Sequence, residues 1–322
     1  MLYNQKSRIG LALLIVMLIP FKGFGQQDPV YTQYMNNLLT FQPAYIGMSD
    51  NYNFTLLSRQ QWVGFDGAPE TTTFTAQVPF SEYNMGVGLS VIHDKYGPVR
   101  QDAVYFDFAY HFPVSDAINC SLGIMGGGNF YKAFVSELTT HDPNDPLAIQ
   151  DITGKFQPNI GTGVLFSAEK YFLGISVPKL LKNTITTDTG SPLYHNDLNF
   201  YGMFGCEIFK DNFKLKPNIF YRWNENNPAL IDININAIFY DVFCLGATYR
   251  YNNSFGFLFQ IYPFRDERFA PIKIGMAYDL TTFHSSQVNS GTYELMISFN
   301  IPGKESFRNK YGRRRVSNTC RW

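Results

Sequence analysis

The feature that most constrains this chain is a period of two, repeated along most of its length. In residues 293–301, Tyr293, Leu295, Ile297, Phe299 and Ile301 fall on one face, while Glu294, Met296, Ser298 and Asn300 fall on the other. That spacing predicts a strand with one greasy wall and one mostly polar wall. Residues 230–239 repeat it: Ile231, Ile233, Ile235, Ala237 and Phe239 stand opposite Asp232, Asn234 and Asn236. A soluble sandwich also alternates, but it rarely sets acidic and amide side chains beside so many bulky ones in strand after strand. Glycine-laced versions occupy 85–93, 118–130, 159–166, 171–177 and 198–208. Glycine inside a strand marks a bend or a close backbone approach, and a curved wall needs both.

About fourteen such segments are expected, near 51–59, 71–79, 84–93, 101–112, 118–131, 157–167, 170–178, 197–209, 212–223, 230–240, 242–251, 254–263, 271–280 and 291–301. An even number of antiparallel strands fits a closed bacterial barrel. Closure has a physical cause, since in lipid an open sheet edge would leave backbone groups unpaired. Composition agrees: 17% of residues are aromatic and 16% charged, against about 25% charged in an ordinary soluble domain. The expected fold is therefore all-β, a transmembrane outer-membrane β-barrel spanning 51–301.

Connector lengths suggest its orientation. With a periplasmic N-terminus, the short connectors near 80–83, 113–117, 168–169, 210–211 and 241 face the periplasm. The mostly longer ones near 60–70, 132–156, 179–196, 224–229 and 281–290 face outward, the usual barrel asymmetry. The connector 264–269 breaks the rule, being long and charged yet expected on the periplasmic side.

The ends read differently. Residues 1–25 carry Lys6 and Arg8, an apolar run from Ile9 to Phe21, and small residues at Gly23 and Gly25. This is the pattern of a cleaved signal peptide, and the apolar run is shorter than the roughly 20 residues of a membrane-spanning helix. Residues 26–50 form an N-terminal periplasmic or plug segment. Residues 302–322 form a basic periplasmic tail that includes Arg313, Arg314 and Arg315. The tail reads as a disordered basic end or as a docking segment for an acidic partner or an anionic surface.

Chemistry is sparse. The five histidines are scattered with no metal-ligand spacing. His141-Asp142 with Asp145 reads as a polar turn. There is no nucleophile elbow and no phosphate-binding loop, and no cofactor is expected. A formal net charge of zero gives no electrostatic case for nucleic acid. Cys120, Cys206 and Cys244 read as small strand residues. Nothing argues for an enzyme. Two groups of residues remain as candidates. Arg59, Trp62, Phe65 and Pro69 belong to a dense aromatic turn at the outer rim, either packed on itself or contacting a partner. Asp107, Asp232, Asn234, Arg250 and Glu294 take the lumen phase, where they line a pore or pair across a filled interior.

Several motifs, in order, bring a family into view. Gln33-Tyr34-Met35 and Asn36, followed by Gln42-Pro43-Ala44-Tyr45-Ile46-Gly47, resemble the opening of the PorP/SprF family of type IX secretion system membrane proteins. Arg59-Gln-Gln-Trp62 with Gly64 and Gly67-Ala-Pro69 is similar to its first outer loop, and Asp94 with Gly97-Pro98 to its second. Residues 174–178, 245–250, 277–279 and 291–294 match later strands. Gln42 stands where the family usually has Asn, and the basic tail runs past the usual end. The resemblance implies a role in exporting or anchoring a large secreted surface protein of the gliding-adhesin type. The implied partners are that client and the periplasmic ring and lipoprotein components, in contact with outer-membrane lipid. A passive channel or small-molecule transporter is the alternative expectation.

Overall fold

The computed structural model describes residues 29–134, 136, 151–186, 192–210, 213–263, 272–281 and 290–303. The expected signal peptide, the His141-Asp142 turn, the connector at 264–269 and the tail from 304 onward, with Arg313, Arg314 and Arg315, lie outside the described residues.

Fourteen antiparallel strands close into a single barrel. In chain order they are β1 (Tyr52–Gln60), β2 (Glu70–Phe80), β3 (Met85–Tyr96), β4 (Val99–Pro113), β5 (Asn119–Ala133), β6 (Ile152–Ser167) and β7 (Tyr171–Val177). Then follows β8 (Asn199–Cys206), which resumes as Ile208–Lys210 after a break at Glu207. The remainder are β9 (Phe213–Asn224), β10 (Leu230–Phe239), β11 (Phe243–Arg250), β12 (Ser254–Ile261), β13 (Ile272–Thr281) and β14 (Thr292–Ile301). Each pairs with its neighbours in sequence, and β1 closes the barrel on β14 with Tyr52 opposite Ile301 and Gln60 opposite Tyr293. All fourteen coincide with expected segments to within a few residues, because alternation fixes a strand's facing residues even where its ends fray.

Local chemistry sets the turns. Between β10 and β11, Tyr240 and Asp241 both take positive φ and Val242 donates to the Phe239 carbonyl at 2.9 Å, a type I′ turn whose twist matches the flanking strands. Outward residues such as Phe106, Ile124, Ile175, Phe257 and Leu295 are exposed and form the lipid-facing wall, while their alternates are buried. No described helix is long and apolar enough to cross a membrane.

The inward alternates do not face an empty lumen. Residues 29–50 lie inside the barrel as three short 3-10 turns, Tyr34–Asn36, Leu38–Thr40 and Pro43–Tyr45. Gln33, Leu39, Gln42, Ala44 and Ile46 are fully buried there.

Candidate functional site

The barrel interior is the candidate site, and it is built around the N-terminal segment. In passing along its length, this segment meets the wall strands nearly in their order around the barrel. Thr32 and Gln33 touch β14, β13 and β12. Phe41 reaches β8 and β9, and Gln42 reaches β6 and β7. Ala44 lies against Gly123 on β5 and Ile46 against Gly86 and Gly88 on β3.

Three kinds of contact hold it. The first is a buried charged seam. The backbone N–H groups of Thr32 and Gln33 donate to the two carboxylate oxygens of Glu294 at 2.6 and 2.9 Å. The Thr32 hydroxyl donates to Asp279 at 2.6 Å. Arg59 donates to the Thr32 hydroxyl at 3.0 Å and to Asp279 at 3.2 Å, and it pairs closely with Glu294. Arg250 forms a bidentate pair with Asp232, its Nε at 2.9 Å and Nη2 at 3.0 Å, and Nη2 also donates to the Tyr31 carbonyl at 3.4 Å. Two guanidiniums thus face the three carboxylates of Asp232, Asp279 and Glu294. The carboxylate excess is met by donors from the segment itself, because buried charge is tolerated only when hydrogen-bonded.

The second contact is aromatic. Phe41 packs on Tyr201 and Phe220 with ring centroids 5.3 and 5.1 Å apart, and Tyr34 lies 5.0 Å from Phe220. Burial of each such ring stabilises by about 1.5–3 kcal/mol. The third is clearance. A Cβ at Gly123 would overlap the backbone of Pro43 and Ala44, and one at Gly163 would overlap the Gln42 amide. These glycines therefore make room for the segment as well as curving the wall. The Gln42 amide uses that room to donate to the Val164 and Ile175 carbonyls at 3.2 and 3.1 Å, and Ser176 donates to the Phe41 carbonyl at 2.6 Å.

The sequence candidates fall as follows. Asp232, Arg250 and Glu294 meet in the charged seam. Asn234 is the centre of an amide ladder on β9 to β11, accepting from Asn218 at 3.4 Å and donating to Thr248 at 2.7 Å. Asp107 is buried on β4, with no hydrogen-bond partner among the described residues. Arg59 does not join the outer loop with Trp62, Phe65 and Pro69. Strand β1 continues to Gln60, which puts Arg59 in phase with Thr55 and Leu57, and its side chain is buried in the lumen. The loop itself is tied on two sides. Val63 exchanges backbone hydrogen bonds with Ser290 and Gly291 at 2.8 and 3.0 Å, and Gly97 donates to the Gly67 carbonyl at 2.9 Å. Pro69 accepts from Gln61 at 2.9 Å, Trp62 is held at positive φ, and Phe65 is left 53% exposed. Asp279, Thr32 and Lys273, which donates to Asn36 at 2.8 Å, are absent from the lumen candidates read from sequence, although Asp279 lies in the 277–279 motif. The two wall residues carry the lumen phase of β13, a signal sufficient to have found them.

Among solved structures, the chain is similar to the TodX monoaromatic hydrocarbon channel deltaS2 mutant, with TM-score 0.51 and 10% identity over 84% of this chain and 94% of that one. It is also similar to the P. putida toluene transporter TodX, with TM-score 0.43 and 8% identity over 82% and 93%. At 10% identity the likeness to the deltaS2 mutant is one of fold, that of an outer-membrane barrel. No curated protein matches in sequence. Residues 23–299 match the family described as type IX secretion system membrane protein PorP/SprF, and the chain belongs to that family.

Proposed function

We propose that this barrel supports the export or surface anchoring of a large secreted protein, binding the client at its outer loops and the periplasmic machinery at its inner end, with no catalytic step of its own. The observation that supports this reading is the occupied interior. A wall lined with buried ion pairs that are completed by the chain's own N-terminal segment suits a scaffold better than a conduit. The tied loop at 61–69 adds to it, because an exposed aromatic on a loop with little freedom to lose binds a partner at low entropic cost. Deleting the gene in cells that carry it is expected to leave one large surface protein unexported or shed. Export and retention of every surface protein as before would overturn the proposal.

The names of the fold relatives raise a second reading, passive transport of small molecules. On the scaffold reading, the purified barrel in planar bilayers passes little current until the segment is displaced. A large steady conductance in the unmodified protein would favour the channel instead.

The outer loop and the basic tail are proposed as separate contacts. Phe65→Ser is expected to lower client co-purification roughly tenfold, as loss of an interface anchor does, with barrel stability within about 0.5 kcal/mol of the parent. Removing residues 304–322, with Arg313, Arg314 and Arg315, is expected to reduce co-purification of periplasmic components and leave the client bound. If both variants capture partners like the parent, these two assignments fail.

A further inference from the structure

We propose that Lys95, Arg100 and Lys132 form an outward-facing site for the phosphate of an anionic lipid headgroup in the outer leaflet. The three residues lie in one row across adjacent strands, Lys95 of β3 directly opposite Arg100 of β4, and Arg100 directly opposite Lys132 of β5. All three share the outward phase of their strands; Lys95 and Arg100 are exposed and Lys132 is half-buried. Like charges directly opposite each other in a ladder repel, so the sheet gains nothing from this row by itself. Side chains whose Cβ atoms stand about 5 Å apart can reach different oxygens of a single phosphate.

The local carboxylates offset the row only in part, two against three cations. Glu70 stands opposite Lys95 at its edge, and Asp102 lies one step nearer the membrane. Asp102 contacts His93 at 2.6 Å and reaches Lys132 only at 3.8 Å. Among the described residues, Lys95 and Arg100 have no ion-pair partner. Arg100 rests its guanidinium 4.9 Å from the Phe134 ring centre, which holds it extended along the wall.

Height identifies the ligand. On β5 and β6 the apolar outward band runs from Cys120 and Phe166, which face each other, to Phe130 and Phe156, whose rings are 4.9 Å apart. The strand rises roughly 33 Å over that distance, or about 25 Å along the membrane normal at the usual tilt, which matches the apolar height of such barrels. Lys132 is the next outward residue beyond Phe130. The cation row therefore sits at the headgroup level, at the end carrying the longer loops, which is the outer face. A phosphate there meets the cations while its acyl chains lie on the aromatic belt below.

The test is native mass spectrometry of the full-length barrel in detergent, with a phosphorylated glycolipid of the lipid A type added, and separately the same lipid after phosphatase treatment. The parent is expected to retain the phosphorylated lipid at least about tenfold better, with the preference collapsing near 1 M salt, where screening falls to about 3 Å. The double variant R100Q/K132Q should lose the preference, whereas K170Q, at the opposite end of the barrel, should keep it. Equal retention of both lipids by the parent, a preference that survives high salt, or an unchanged double variant would each overturn the site. Free inorganic phosphate displacing the lipid at equal concentration would also overturn it, because the lipid would then contribute nothing.

Discussion

Arg59→Ala is expected to free the N-terminal segment and destabilise the barrel by about 3–5 kcal/mol, the usual cost of removing one partner from a buried charged pair. Arg59 is 3% exposed and bridges Asp279, Glu294 and the Thr32 hydroxyl. Without it, Arg250 alone faces the carboxylates of Asp232, Asp279 and Glu294. The least costly relief is for water to enter around Glu294, which breaks the two backbone hydrogen bonds from Thr32 and Gln33. Protease should then cut within residues 29–50, the urea midpoint should fall, and conductance should rise. Arg59→Lys keeps the charge but not the planar fork, so it should lie between the parent and Arg59→Ala. A variant Arg59→Ala with parental protease resistance and parental stability would mean that the seam does not hold the segment.

Gly123→Val tests the same docking through shape. Strand β5 itself accepts valine readily, since β-branched residues suit a pleated wall. The new side chain would occupy the place of the Pro43 and Ala44 backbone. Backbone cannot rotate aside as a side chain can, so the penalty should exceed the about 1–3 kcal/mol of ordinary overpacking. The expected product is a barrel that still runs as a folded band on a gel, with the segment expelled and open to protease. Gly126→Val provides the control, because nothing lies within 4 Å of a Cβ there, and its effect should stay within about 0.5 kcal/mol. Equal behaviour of the two variants would remove clearance as the role of Gly123.

The barrel was legible in the sequence because alternation is a property of each strand alone. Ile231, Ile233 and Ile235 against Asp232, Asn234 and Asn236 declare their faces without knowledge of the neighbours, and most of the other strands do the same. The interior was legible only in part. Asp232, Asn234, Arg250 and Glu294 took the lumen phase, but their partners come from distant strands and from residues 29–50. That segment has no period to read, since its short 3-10 turns are set by what surrounds them. Arg59 was misplaced for a smaller reason: an Arg-Gln-Gln-Trp run resembles loop chemistry, and the strand continues through Arg59 to Gln60 beside Tyr293. The in-strand glycines were read as curvature or close approach. For Gly123 and Gly163 the approaching chain is the N-terminal segment, which no local pattern could have named.

The central claim is that this family member is a filled barrel working through partners, and affinity purification of the tagged full-length protein from native outer membranes in mild detergent tests it most directly. Mass spectrometry is expected to find one large secreted surface protein together with type IX components, retained at stoichiometric levels. A barrel that purifies alone, and that conducts ions without loss of residues 29–50, would contradict it.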